Sequence, residues 1–279
     1  EMALPVSVLE IPIERKIKLL SDIKTLFKLI LIFRREKFKA VHTITPKAGL
    51  LGTIASFLAR IPIRIHTFQG EFWVNTTGLI RKFFIFLDKI VALLSTNIIV
   101  VSRSEREFLI KERILSVGQA KVLGAGTIGG IDLNRFSKKQ KQRQLQRSKL
   151  GYLDNDVVFA YLGRLNADKG LSILTDAFDI LFPNHPSSRL LIIGPDEDGT
   201  GKKLNDYSSQ YSSGVVTVLS FMRNPETSLI SADVLILPSF REGFGLVILE
   251  AAAMGIPAIG SNIYGISDAI QDGQTGQLF

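Results

Sequence analysis

A chain of 279 residues that is 46% hydrophobic and 22% charged has enough apolar sequence for one large domain or two ordinary ones. It contains no cysteine, which excludes disulfides, thiol nucleophiles and thiolate zinc sites. Its net charge of +8 is uneven, with 27 Lys and Arg against 11 Asp and Glu in residues 1–150 and 7 against 15 in residues 151–279. Such asymmetry suggests two domains, the basic one facing a polyanion, an anionic membrane or simply water. No nucleic-acid motif accompanies the basic residues. The start at Glu1-Met2 and the strand-like stop at Leu278-Phe279 read as a piece cut at both ends.

In chain order, strands are expected at Ala40–Thr43, Ile63–Thr67, Asn97–Val101 and Lys121–Leu123. Helical patterns over Lys47–Arg60 and Arg81–Leu94 lie between them. Leu26–Phe33 and Phe83–Leu94 are apolar but too short or too charged to span a bilayer, which takes roughly 20 residues. Phe83, Phe84, Phe86 and Leu87 beside Arg81 and Lys82 suit either a membrane-surface helix or the core face of a buried one. Ser137–Gly151 (SKKQKQRQLQRSKLG) is polar and basic, a solvated helix or a linker, and puts the domains at 1–148 and 149–279. Strands follow at Val157–Leu162, Leu190–Ile193, Val215–Leu219, Val234–Leu237 and Pro257–Gly260, with helices at Leu171–Leu181 and Leu246–Met254. Alternating strand and helix implies parallel sheets covered on both faces, hence two doubly wound α/β domains.

In such sheets the loops after the strands carry the chemistry. The richest is in Pro238–Pro257, PSFREGFGLVILEAAAMGIP. There Glu242 precedes the turn Gly243-Phe244-Gly245, a helix opens at Leu246-Val247, and Glu250 lies one turn in. A glycine turn opening a helix presents free N–H groups and the positive dipole end to an anion. Carboxylates on either side suit a ligand with a central phosphate and hydroxyls at both ends, the layout of a nucleotide sugar. Arg164 and Lys169, five apart in GRLNADKG, suit convergence on one phosphate or a turn salt-bridged through Asp168. Gly194, with Pro195, leaves room for a base or ribose, and Met222-Arg223 offer backbone groups to a nucleobase. His42 and His66 end successive strands; both suit structural hydrogen bonds, and His66 also precedes the loop Thr67–Glu71. Asp154-Asn155-Asp156 and Asp196-Glu197-Asp198 match the D-x-D pattern of metal–diphosphate sites, but the first lies at the wrong end of its strand and the second reads as a solvated acidic loop.

GRLNADKG followed by the Glu242–Glu250 segment resembles the nucleotide-sugar domain of family-4 retaining glycosyltransferases, which have the GT-B fold of two Rossmann-like domains facing a cleft. VHTITPKAGLLG, IRIHTFQG, IIVVSRSE, VLGAGTIGGIDLNRF and SNIYGISDAIQDGQTGQLF fall in the order seen in bacterial capsule and exopolysaccharide members. The resemblance covers essentially the whole chain. It implies that Arg164, Lys169 and the N–H groups of Gly243 to Val247 bind the donor diphosphate, Glu250 the ribose, and Gly194, Met222 and Arg223 the base side. It implies catalytic roles for Glu242, at the transferred sugar, and for His66, which faces that sugar across the cleft. The activity implied is retaining transfer of a hexose or N-acetylhexosamine from a nucleotide sugar, UDP- rather than GDP-linked, to a lipid-linked or saccharide acceptor. Neither a metal nor another cofactor is expected. The cytoplasmic face of the plasma membrane is the implied location, where Lys16, Lys18, Lys24, Lys28, Arg34 and Arg35 meet anionic lipid.

The chain departs from the family at Ile44, where a second histidine is common, and at Ser267, often arginine. The family's first strand with its glycine-rich loop, and the terminal helix that crosses back between the domains, are expected to be missing, leaving both domains incomplete at their outer ends. Two other classes stay open: a nucleotide-sugar epimerase on a similar fold, against which the Glu242–Glu250 spacing argues, and a non-catalytic sugar-nucleotide-binding module.

Overall fold

The computed structural model describes residues 6–14, 17–127 and 129–279; Lys16, and Ile128 within one quoted motif, lie outside them. The chain forms two compact units, Glu1–Val100 with Arg106–Val122, and Val101–Glu105 with Leu123–Phe279. Both are Rossmann-like, as the alternating pattern implies.

The elements from the chain start to residue 122 are α1 (Leu19–Glu36), β1 (Ala40–Thr43), α2 (Pro46–Leu58), β2 (Ile63–Phe68), α3 (Gly78–Leu94), β3 (Asn97–Val100), α4 (Arg103–Lys111) and β4 (Ala120–Val122). Their strands make a parallel sheet in the order β1-β2-β3-β4. Proline at the first turn of α2 suits a helix start, where its missing N–H is not needed. Gly49 and Gly52 on α2 let it approach the ends of β1 and β2: a Cβ on Gly49 would lie 2.6 Å from His66 Cε1, and one on Gly52 2.8 Å from Thr43 Cγ2. The aromatic stripe of α3 divides. Phe84 meets Phe72 edge-on at 4.5 Å between ring centres, whereas Phe83 and Phe86 are exposed.

The remaining elements are α5 (Gln140–Lys149), β5 (Val157–Leu162), α6 (Leu171–Leu181), β6 (Ser188–Ile193), α7 (Thr200–Ser208), β7 (Val216–Leu219), α8 (Glu226–Leu229), β8 (Val234–Leu237), α9 (Leu246–Ala253), β9 (Ala258–Gly260), α10 (Ile266–Ala269) and β10 (Gly276–Leu278). Their six-stranded parallel sheet has the order β10-β9-β8-β5-β6-β7. Leu190 to Ile193 are fully buried, as a strand covered on both faces requires. Leu171, Leu174 and Phe178 form the buried stripe of α6. From β5 the chain winds outward to β7, returns to β8 and winds the other way. The switch point therefore lies between β5 and β8, where the loops at their carboxyl ends become neighbours.

The units divide at Val122/Leu123, upstream of the expected join at 148/149. The polar stretch before the join is a helix of the second unit, α5, anchored by charge rather than by apolar packing. Arg143 and Arg147 both pair with Asp233, at 2.5 and 3.1 Å. Arg147 is buried and also donates to the carbonyls of Ser231, Leu153 and Asp156. With this division the first unit holds 19 Lys and Arg against 9 Asp and Glu, the second 15 against 17. The charge asymmetry persists but is smaller than the halves suggested. Among the described residues no helix is long and apolar enough to cross a membrane.

Candidate functional site

Two loops of the second unit meet at the switch point, Gly163–Gly170 after β5 and Pro238–Gly245 after β8. The short 3-10 turn Ala167–Lys169 carries Lys169 inward, leaving it 8% exposed. Its ammonium donates to Glu242 Oε1 at 2.6 Å, and the Ser239 hydroxyl donates to the same oxygen at 3.0 Å. The preceding residues pair as well, Arg241 Nη2 with Asp168 Oδ2 at 2.8 Å. The Phe240 N–H donates to the Asp168 carbonyl at 2.9 Å. Gly170 closes the junction: a Cβ there would lie 1.9 Å from the Pro238 oxygen, and its φ of +65° suits glycine in any case.

Beneath this junction the Tyr161 hydroxyl donates to the Arg164 carbonyl at 2.8 Å. Burial, and then the nearby Glu242 charge, push the Tyr161 pKa well above its ordinary value, so the phenol remains a donor. From the other side Gly265 supports the turn, since a Cβ there would lie 2.6 Å from the Glu242 carbonyl oxygen. Gly245, at φ +77°, then starts α9, whose first N–H groups have no intrahelical acceptor. Leu246 and Val247 open that turn, and buried Phe244 anchors it. Glu250 follows, half-buried. Burial raises its pKa, and Arg135 opposes that shift. Arg135 Nη2 is itself held at 2.8 Å by both Glu226 Oε2 and the Arg223 carbonyl. The carboxylate, the helix start and the second carboxylate thus lie along one edge of the unit.

Arg164 and Lys169, candidates for one phosphate, hold different carboxylates. Arg164 pairs with Glu197 at 3.0 Å, whose carboxylate Asn166 Nδ2 also meets at 2.9 Å. Lys169 turns instead to Glu242. Asp168, which would close the alternative salt-bridged turn, faces Arg241. Gly194 fits tightly for a local reason: its Cβ would lie 1.7 Å from the Gly163 oxygen. Met222 Sδ is 3.5 Å from the Ser228 hydroxyl, and Arg223 contributes its carbonyl to Arg135. In the second D-x-D, Asp196 Oδ1 accepts the N–H of Gly199 at 2.9 Å as α7 begins, and Asp198 accepts that of Ala167 at 3.0 Å. Backbone bonds led by Gly201 lower the Asp196 pKa; the Thr200 hydroxyl leads in lowering that of Asp198. Asp156, of the first D-x-D, pairs with Arg189 at 2.9 Å. Among the described residues no group of three carboxylates or imidazoles is placed to hold a metal.

In the first unit His66 is buried at the carboxyl end of β2, with Nδ1 2.8 Å from Thr43 Oγ1. Thr43 Oγ1 also lies 3.1 Å from Thr53 Oγ1. Burial, and then the nearby His42, lower the His66 pKa to about 4, so the ring is neutral at neutral pH. His42 is exposed, with Nε2 2.7 Å from Thr67 Oγ1.

The sequence reading missed Ser239, Arg241, Glu197 and Arg135 as partners of the site. Ser239 and Arg241 lie inside the stretch that it singled out. What it lacked was the adjacency of β5 and β8, which only the strand order supplies.

A family model described as glycosyl transferases group 1 matches residues 142–279, and one described as glycosyl transferase 4-like domain matches residues 1–125. The capsular polysaccharide biosynthesis glycosyltransferase CapM of Staphylococcus aureus is 34% identical over 268 residues, covering 95% of this chain and 70% of that protein. The UDP-Gal:alpha-D-GlcNAc-diphosphoundecaprenol alpha-1,3-galactosyltransferase of Escherichia coli is 30% identical over 259 residues, covering 90% and 65%. The crystal structure of HepE from Anabaena in complex with UDP superposes with a TM-score of 0.74 at 21% identity, over 92% of this chain and 68% of that one. This last likeness shows the shared GT-B fold. The chain spans about two thirds of the length of each of the three.

Proposed function

Because the chain belongs to the group 1 glycosyltransferases, we propose that its protein transfers a hexose or N-acetylhexosamine from a UDP-sugar to a lipid-linked or saccharide acceptor in bacterial surface polysaccharide synthesis, with retention of configuration. The observation that carries this is the Lys169–Glu242 pair at the switch point, directly before the N-terminal turn of α9. A diphosphate seated on that turn meets the Lys169 ammonium and the first N–H groups of α9, and Arg164 can leave Glu197 to join them. These groups stabilise the charge that develops on the leaving diphosphate. Glu242 takes hydroxyls of the transferred sugar, and Glu250 takes those of the ribose. Gly194, Met222 and Arg223 keep the base-side role that the resemblance implies. His66 keeps the catalytic role that the resemblance implies, with a neutral imidazole. No metal is needed, since the cations and the helix start supply the positive field.

In the transfer the bond from the anomeric carbon to the phosphate oxygen breaks, with its electron pair going to that oxygen. The acceptor hydroxyl oxygen bonds the same carbon on the same face, and its proton passes to the departing phosphate. The names of two comparison proteins support the substrate classes: one takes UDP-Gal to a diphosphoundecaprenol-linked sugar, and another was solved with UDP-glucose. An exposed face of α1 bearing Leu20, Ile23, Lys24, Phe27, Lys28 and Leu31 supports docking on anionic lipid at the cytoplasmic membrane face. Sedimentation with phosphatidylglycerol vesicles, lost in Lys24→Glu/Lys28→Glu, tests that docking.

The function is tested by incubating the whole protein with a panel of UDP- and GDP-sugars and a polyprenyl-diphosphate-linked sugar. Transfer with the donor's anomeric configuration kept in the product is expected, and Glu242→Ala abolishes it. Interconversion of free donors, inverted product or full turnover in Glu242→Ala overturns the corresponding part of the proposal.

A further inference from the structure

The two loops at the switch point are joined by a ladder with rungs of alternating polarity. Asp168 and Lys169 on one loop meet Arg241 and Glu242 on the other, so consecutive residues pair as minus–plus and plus–minus. The bond from the Phe240 N–H to the Asp168 carbonyl and the close approach of Gly170 to Pro238 fix which residue faces which. A shift of one residue on either loop would set like charges together at one rung, Asp168 against Glu242 or Lys169 against Arg241, and leave the other rung without a counter-charge.

The rungs differ in their surroundings. The side chains of Lys169 and Glu242 are 10% and 17% exposed; on the outer rung Arg241 is 18% exposed and its partner Asp168 is 42% exposed. In the function proposed above, on which this inference rests, the inner rung is shared with the substrate: Lys169 also serves the diphosphate and Glu242 the sugar. The outer rung has no substrate group to serve. We infer that Arg241 is a positioning residue, which through Asp168 holds the spacing of Lys169 and Glu242 while those two bind the donor. With its carboxylate open to solvent, this ion pair contributes little to stability by itself. Its effect here is on register, so removing it acts on ligand affinity more than on melting.

The test uses the chain with UDP as the probe. Arg241→Ala is expected to weaken UDP binding about tenfold by calorimetry, at a melting temperature near that of the unchanged protein. It is also expected to speed deuterium exchange in the peptide 238–245. Arg241→Lys, which can still reach the one Asp168 oxygen, is expected to recover most of both. Unchanged UDP affinity and exchange in Arg241→Ala overturn the inference, and so does an Arg241→Lys variant as impaired as Arg241→Ala. An affinity loss that only follows a fall in melting temperature overturns it as well. If the unchanged protein binds no UDP, the donor assignment fails, and exchange alone then decides whether Arg241 sets the register.

Discussion

Replacing Gly170 by alanine probes the junction of the two loops. Gly170 sits at φ +65°, a conformation that costs an L-residue roughly 1–2 kcal/mol. The new Cβ would also lie 1.9 Å from the Pro238 carbonyl oxygen, whereas a carbon–oxygen contact needs about 3.3 Å. The loops must therefore part by about 1.4 Å, and overpacking of this kind adds roughly 1–3 kcal/mol. For a unit of this size a total near 3 kcal/mol lowers the melting temperature by roughly 6–12 °C. Gly273→Ala is the control: its φ is +71° but nothing lies within 4 Å of its Cβ, so it carries the backbone strain without the collision. The excess melting shift of Gly170→Ala over Gly273→Ala isolates the collision. Because Lys169 is the adjacent residue, Gly170→Ala should also weaken UDP binding by at least tenfold, a reasonable cost for misplacing a ligand-binding group by about 1 Å. Differential scanning calorimetry and UDP titration read the two effects. If Gly170→Ala melts no lower than Gly273→Ala and binds UDP as the unchanged protein does, the close approach of the loops is wrong.

Lys169→Ala should weaken donor binding by about 1.5–3 kcal/mol, the worth of a charged hydrogen bond; titration with a UDP-sugar showing no change removes Lys169 from the diphosphate site. Transfer should proceed fully in excess chelator, and activity lost to chelator but restored by Mg²⁺ or Mn²⁺ would bring a metal back into the reaction. His66 links stability to pH. Its pKa falls from 6.5 to about 4 in the folded protein, so its contribution is complete above pH 6.5 and is lost as pH falls towards 4. The loss amounts to roughly 3 kcal/mol at full protonation. Urea unfolding at pH 7 and pH 4.5 should therefore show a steeper acid loss in the unchanged protein than in His66→Gln, and parallel losses would contradict a buried neutral ring.

The parts of the fold that bury apolar side chains were legible from their pattern. Val157–Leu162 and Val234–Leu237 stand where the apolar runs put them, and Leu171–Leu181 where the spacing of Leu171, Leu174 and Phe178 does. The parts held by polar contacts were not legible. Helix α5 has almost no apolar face, and what ties it to the second unit is two arginines on Asp233 and a ring of carbonyls. A reading based on hydrophobic period leaves such a segment as a solvated helix or a linker and cannot show what it docks on. β10 showed only as a strand-like stop at Leu278-Phe279 for another reason: Gly276-Gln277-Leu278 has no β-branched residue to mark its start, and its pairing with β9 makes it a strand.

The same distinction explains the site. Local spacing could show that Lys169 and Glu242 are functional types in functional loops, but they are 73 residues apart and only the β5–β8 pairing brings them together. Once they meet, Lys169 cannot be read as a bare phosphate ligand. A buried ammonium needs a counter-charge at all times, and Glu242 supplies it. In the proposed function a diphosphate arriving at Lys169 would add to, or compete with, an existing ion pair, so the net gain would be smaller than the full attraction between ammonium and phosphate. Glu242 would in turn release part of its hold on Lys169 as the phosphate takes it up, and its oxygens would become available to sugar hydroxyls. On this view donor recognition at the two ends of the ligand is coupled through one hydrogen bond: the phosphate that engages Lys169 also frees the carboxylate that holds the sugar.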